Sequence, residues 1–262
     1  MDRHERSWLR RGATGSAAAR LGSVAVLILV WWAAALVADS RNCPTPPEVF
    51  GFVAQELASG EMLHHFGATL ARVAAAFVAA MAIGCGLGLA MGRSRAVDLV
   101  LEPWIILLLN APALILIVLA YIWIGLNETA AVLAVALNKL PNVVVTIREG
   151  ARAMDPAYLE MAKVYRFSRR SLLRDVMLPQ LQPYIAAAAR SGLALIWKIV
   201  LVVELLGRSN GVGFKIGLYF QTFDVRAILG YTVVFVLLML LVEYFWVQPL
   251  ERRAYRWRPR PA

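Results

Sequence analysis

Glu204, Lys198 and Arg190 lie in one apolar stretch of this 262-residue chain, and Lys139 lies in another. A charged side chain at the centre of a bilayer costs about 2.5–3.5 kcal/mol on insertion scales, so such groups usually face the interior of a helix bundle or a water-filled path. The chemistry open to them is recognition of a charged solute in transit, or ion pairing between helices. Positive groups are in excess in these stretches, which suits an anionic solute. Lys198 stands six residues before Glu204, about 240° around a helix, so the two are poor partners within one helix. Arg190 and Lys139, which is close to Pro141, also fit snorkelling or pairing between helices. Glu204 fits pairing with a Lys or Arg of a neighbouring helix.

Bond-making chemistry finds little support. His4, His64 and His65 are the only histidines, there is no HExxH, and Cys43 and Cys85 form no CxxC pair. Without a nucleophile, base and metal constellation, a membrane enzyme has no reacting centre. The phosphate-binding pattern GxxxxGK[ST] is absent; the nearest glycine cluster, GRSNGVGFK, has Phe214 before Lys215. The chain is expected to bind no metal and no cofactor of its own, and to borrow energy from elsewhere. A net charge of +10 raises the possibility of nucleic acid, but that needs a soluble basic face, and here Arg and Lys fall mostly between apolar segments. No nucleic-acid partner is expected.

The elements that must position these charges are membrane helices. The chain is 60% hydrophobic, above the roughly 45–50% of soluble domains, with a mean hydropathy of +0.63. Six segments are long enough to cross a bilayer, at about 21–38, 69–91, 99–125, 129–147, 180–206 and 227–249. The expected fold class is all-α integral membrane with six transmembrane helices in a domain over 21–249. The third segment carries Asn110 and Pro112, which predict a kink or a broken helix. Gly84, Gly88 and Gly92 recur at four-residue spacing, as do Ala188 and Gly192, a pattern that lets helix backbones approach closely.

Basic residues set the orientation. Five precede residue 21, two lie in 92–98, seven in 148–178 and five in 250–262, whereas the opposite side carries only Arg41, Arg208, Lys215 and Arg226. Both termini are expected to be cytoplasmic, with basic flanks at 1–20 and 250–262 beside lipid headgroups. The first span also reads as a secretory leader, with MDRHERSWLRRG as its basic region and Ala38 before a cleavage site, although Leu36 is a poor −3 residue. Cleavage would leave the orientation of the other five spans unchanged.

Between the fourth and fifth spans, residues 148–178 change from uniform apolarity to amphipathic periodicity. Asp155 and Pro156 form an N-cap and first-turn pair, after which Tyr158, Met161, Ala162 and Tyr165 fall on one helical stripe. Ser168 caps a second short helix with Leu172, Leu173, Val176 and Met177 on its apolar side and Arg169, Arg170 and Arg174 left polar. Pro179 then stands at the expected start of the next membrane helix. A basic loop lying on anionic headgroups is the simpler alternative.

The run from Glu160 through Met161, Ala162 and Ser168 to VMLPQLQP resembles the coupling-loop signature, or EAA motif, of permease subunits in type I ABC importers. Leu178 and Pro179 arrive at the family's distance after the Glu. The resemblance covers about residues 64–258, through ATLARVAAAF, GLGLAMGRSRAVDLVLEPW, NAPALILIVLAYIWIG, VVELLGRSNGVGF and LERRAYRWRP, and is to the branch importing nitrate, sulfonates and taurine. Two positions depart from the motif: Arg166 stands where the family has Gly, and Met161 occupies a small-residue position. The segment after Pro112 also lacks a second Pro that many relatives carry.

The resemblance implies a permease that forms the translocation path for a small anionic solute and couples to a separate ABC ATPase, which uses the ATP. Its implied partners are ABC ATPase subunits, an extracytoplasmic solute-binding protein, a second permease copy in a homodimer, and the lipid of a bacterial inner membrane. The implied ATPase-coupling residues are Asp155, Glu160, Met161, Ala162, Arg166, Ser168, Leu178 and Pro179. Lys139, Arg190, Lys198 and Glu204 are the path candidates. A self-contained secondary transporter or channel would also carry broken helices and intramembrane charges, but it offers no task for the organised inner loop.

Overall fold

The computed structural model describes residues 22–249; the basic flanks expected at 1–20 and 250–262 lie outside them. Among the described residues every regular element is helical. In chain order they are α1 (Gly22–Ala38), α2 (Pro46–Ala58), α3 (Glu61–Arg93), α4 (Arg95–Asn110), α5 (Ala113–Ile124), α6 (Glu128–Arg152), α7 (Pro156–Val164), α8 (Arg169–Gly207), α9 (Val212–Gln221) and α10 (Val225–Phe245).

The all-α membrane class holds, but the count of six spans is not established. Four helices among the described residues, α3, α6, α8 and α10, are long and apolar enough to cross a bilayer. A fifth span appears if α4 and α5 are taken as one, although they bend by 101° at their junction. That break falls at Ala111 and Pro112, where the ring fixes φ and removes an N–H, as the expected interruption requires. Helix α1 is apolar but shorter, at 17 residues or fewer.

A second correction concerns Pro179. It does not begin a separate membrane helix: α8 runs without a break from the Ser168 cap through Pro179 and Pro183 to Gly207. Residues Leu172–Met177 form a π turn, closed by the Leu178 N–H donating to the Leu173 carbonyl. Pro179 has no N–H to give, and its ring crowds the carbonyl four residues back. The wider turn just before it absorbs both without a break.

The described residues fall into two compact units. One comprises residues up to 62 together with 218–233. Its α2 starts with a capping box, in which the Thr45 N–H donates to Glu48 Oε2 at 2.8 Å. The Tyr231 hydroxyl, fully buried, donates to Glu56 Oε2 at 2.8 Å, and Phe52 packs edge-on against Tyr219.

The other unit, 63–217 with 234 onward, holds the helices that carry the charged residues. Its centre is α6, whose residues Val143, Val144 and Ile147 have no exposure at all. Helix α3 reaches α6 through its glycine stripe. A Cβ at Gly88 would lie 2.6 Å from the Val144 carbonyl oxygen, and one at Gly92 would lie 2.4 Å from Ala151 Cβ. Only hydrogen fits at either contact. Gly88→Val is therefore expected to cost about 1–3 kcal/mol through overpacking, lowering the thermal stability of the detergent-purified protein. Gly86→Val, whose Cβ would meet open space, should change it little; equal effects of the two would contradict the packing described.

Candidate functional site

The charged and polar residues singled out in the sequence fall into three places in the second unit, and each is built by identifiable local rules. The first gathers where α8 ends. Its last residue, Gly207, leads into a turn at Gly211, and α9 starts at Val212. The three N–H groups at this start, which a helix leaves without internal partners, are met by side chains from α3 and α8. The Gly211 N–H donates to His65 Nδ1 at 3.0 Å, the Val212 N–H to Thr69 Oγ1 at 2.9 Å and the Gly213 N–H to Glu204 Oε2 at 2.8 Å. Gly211 has φ of +110°, and a Cβ there would sit 2.3 Å from the Glu204 carboxyl carbon. Glycine is required at this position by both its backbone and its neighbour.

Glu204 is completely buried. Besides Gly213 it accepts from Thr69 Oγ1 at 3.0 Å and from Arg72 Nη1 at 2.6 Å. Arg72 also grips Glu128 at the start of α6 with two parallel bonds, Nε to Oε2 at 2.8 Å and Nη2 to Oε1 at 2.7 Å, and it reaches Asn210 through both the backbone oxygen and Oδ1. Arg208 adds a 2.5 Å bond to Glu128 Oε1. Two arginines and two carboxylates thus tie α3, α6 and the α8–α9 turn together, with the planar guanidinium fork of Arg72 at the centre. Glu204 engages an arginine of a neighbouring helix, and each of its oxygens is occupied.

Arg72, Thr69, His65 and Glu128 were not among the sequence candidates. Their available signal is an isolated Arg within the apolar run 69–91 and a carboxylate just before the run 129–147. These are the complements that a buried Glu204 requires.

The second group lies in the middle of the unit. Lys139 is 2% exposed, and its Nζ lies 3.4 Å from Ser191 Oγ. Its stem fits because α8 has glycine opposite: a Cβ at Gly192 would approach Lys139 Cε to 2.9 Å. Lys198 is exposed on α8. Arg190, also exposed, pairs with Glu243 of α10 at 3.3 Å. The structure does not bring the four path candidates into one cluster: Glu204 belongs to the first group, Arg190 has a carboxylate, and the two lysines stand apart.

The third group is at the other end of the helices. Asp155 caps α7 by accepting from the Ala157 N–H at 2.8 Å, with Pro156 in the first turn, and its own N–H donates to Gln180 Oε1 at 2.9 Å. Ser168 Oγ accepts from the Ser171 N–H at 3.2 Å and caps the start of α8. Both caps lie where the sequence places them. The face buried by α7 differs from the expected stripe, because only Ala162 of that set is covered. Leu159 packs against the cluster of Ala151, Met154, Met177 and Leu181 and Ala162 is buried, while Tyr158, Met161 and Tyr165 stay exposed, as do Glu160 and Val164. The helix is anchored by one narrow edge, so its broader apolar face remains uncovered. Leu178 and Pro179 are exposed on the first half of α8.

Arg166 ends α7 in the left-handed region, at φ +50°. The Arg166 N–H donates to the Lys163 carbonyl and the Phe167 N–H to the Ala162 carbonyl at 2.9 Å. This is the paired bonding of a Schellman cap, whose left-handed residue is usually glycine. Arg166 therefore adopts the backbone that glycine would, at a strain of about 1–2 kcal/mol. Arg166→Gly should relieve it, raising or at least preserving the thermal stability of the purified protein, while Arg166→Val should lower it. A clear loss of stability with glycine would contradict this reading of the turn.

With that geometry in place, comparison with known proteins gives a consistent answer. Residues 82–252 match the family described as binding-protein-dependent transport system inner membrane component. The chain is 30% identical to the aliphatic sulfonates transport permease protein SsuC of Escherichia coli (strain K12), over 89% of each chain. It is 28% identical to the taurine transport system permease protein TauC of the same organism, over 90% of this chain and 88% of TauC. Among solved structures, an amino acid ABC transporter crystallised with histidines matches with a TM-score of 0.62 at 21% identity, over 77% of this chain and 98% of that one. The chain belongs to the family of binding-protein-dependent transport system inner membrane components and is a multi-pass permease subunit of an ABC importer.

Proposed function

We propose that this permease takes a small anionic solute of the sulfonate, taurine or nitrate type across the bacterial inner membrane, with both termini in the cytoplasm. A homodimer of the chain forms the path, an extracytoplasmic binding protein delivers the solute, and separate ABC ATPase subunits supply the energy of ATP. Lys139, Arg190, Lys198 and Glu204 are the path candidates. Glu204 and Arg190 act there through their ion pairs, by holding helices in place.

The observation that carries the reading is the uncovered face of α7. A nine-residue helix, capped at both ends, presents Tyr158, Met161, Val164 and Tyr165 around Glu160. Exposed apolar groups on a fixed amphipathic helix suit insertion into a groove on a partner. Because α8 continues without a break from Ser168 to Gly207, a displacement of its first turns by closing ATPases would be carried along α8 as a rigid element. The role of Asp155, Ser168, Leu178 and Pro179 is to hold that geometry, and the chain itself makes and breaks no bond.

Affinity purification of the tagged chain from its native membrane tests the proposal. An ATPase subunit is expected to co-purify, and the combined change Tyr158→Ser and Met161→Ser to release it while the permease remains folded. Recovery of the chain without any ATPase, under conditions that keep it folded, would contradict the reading.

A further inference from the structure

We propose that Lys139 of α6, with Ser191 and Lys198 of α8, forms a relay of positive potential that passes an anionic solute through the middle of the membrane. This rests on the proposed path and assigns its cargo-facing residues. Exposed positions Ala187, Ser191, Ala194, Lys198, Val202 and Leu205 of α8 follow one another at three- and four-residue steps. That spacing places them on a single helical stripe. Its first half is small, with Ser191 its polar member between Ala187 and Ala194, and its charge is Lys198. From Lys198 to the end of α8 at Gly207 is about 14 Å, roughly half the thickness of a bilayer core. A lysine exposed at that depth faces water or a protein partner in preference to lipid.

Lys139 is the second element. It is 98% covered, yet its hydrogen-bond partner among the described residues is a neutral hydroxyl, Ser191 Oγ at 3.4 Å. A cation buried without a carboxylate is costly, and this chain pairs its other deeply buried charges: Arg72 with two carboxylates, and Glu204 with Arg72. Ser191 bridges the buried amine to the open stripe. Its hydroxyl donates to the Ala188 carbonyl at 3.2 Å, so its lone pairs face Lys139 and an incoming group. Lys198 lies two turns further along, about 10 Å away in rise, and has no ion-pair or hydrogen-bond partner among the described residues. An anion on this face meets one amine directly and a second through the serine. Glycine at 192 provides the room for Lys139 to reach that position.

A thiol reporter on the stripe tests the relay without knowledge of the cargo. In full-length protein in native membrane vesicles, with Cys43→Ser and Cys85→Ala, Ala194→Cys is treated with anionic 2-sulfonatoethyl or cationic 2-trimethylammonioethyl methanethiosulfonate during ATP turnover. Both reagents are expected to label the introduced thiol, with the anionic-to-cationic rate ratio raised above that of a free thiol in solution. Lys139→Met and Lys198→Met should each lower the ratio at least about threefold, and the Arg variants should preserve it. Ala187→Cys serves as a second reporter if the first protein fails to accumulate. Absence of labelling by both reagents, or a ratio indifferent to the two lysines, would overturn the proposal. Failure of ATPase co-purification would instead sink the proposed function while leaving the ratio as measured.

Discussion

Replacing Arg72 with alanine is expected to be among the most damaging single changes in the described chain, lowering stability by about 3–5 kcal/mol. Arg72 is 4% exposed, and its guanidinium is the shared partner of Glu204, which is fully buried, and of Glu128. Its loss leaves a carboxylate at the α8–α9 turn with no cation, and removes the clamp that fixes Asn210 and the start of α6. Heating the detergent-purified protein and following the folded fraction by size exclusion should show an early transition and a low yield. Arg72→Lys should fall between, because an ammonium supplies the charge without the two-pronged geometry. Adding Glu204→Gln to the alanine variant should recover part of the loss by removing the unpaired charge, since Glu128 keeps Arg208 as its partner. An Arg72→Ala protein as stable as its parent would refute the account of this network.

The second large effect concerns function with the fold intact. Glu160 is exposed on α7, so Glu160→Lys should leave stability unchanged. Charge reversal at the centre of a docking helix commonly costs an interface more than 1.4 kcal/mol, about tenfold in affinity. Reconstituted vesicles should therefore show at least about a tenfold loss of solute-stimulated ATP hydrolysis and of uptake. Wild-type rates in that variant would remove Glu160 from the coupling joint.

What was legible in the sequence follows the range of the forces involved. Local rules read well: the Asp155 and Pro156 cap, the Ser168 cap, the break at Pro112 and the glycine stripe of α3 each depend on residues a few positions apart. Span boundaries were blurred because helices continue past the apolar core, as when α3 begins at Glu61 and not near 69. Pro179 looked like a helix start because proline favours first turns, yet a π turn lets α8 run through it. The orientation of α7 depends on which edge meets Met154 and Met177, which no periodicity within nine residues can decide. The Arg72 network depends on pairing across 56 and 132 positions of sequence, so its logic became visible only when α3, α6 and α8 were packed. The four charges separate in the same way, into a structural lock at Glu204, an ion pair at Arg190, a buried lysine on α6 and an exposed one on α8.

The most direct measurement of the central claim, that this chain conducts solute while a separate protein supplies the energy, is uptake into vesicles of defined composition. The permease is reconstituted alone, or with its co-purified ATPase and the extracytoplasmic binding protein, and labelled taurine, an alkanesulfonate and nitrate are offered with ATP on the nucleotide-accessible side. The account predicts accumulation of at least one of these anions only in the complete assembly, dependent on ATP hydrolysis and lost with Glu160→Lys. Concentrative uptake by the permease alone, driven by an ion gradient and indifferent to ATP, would contradict it.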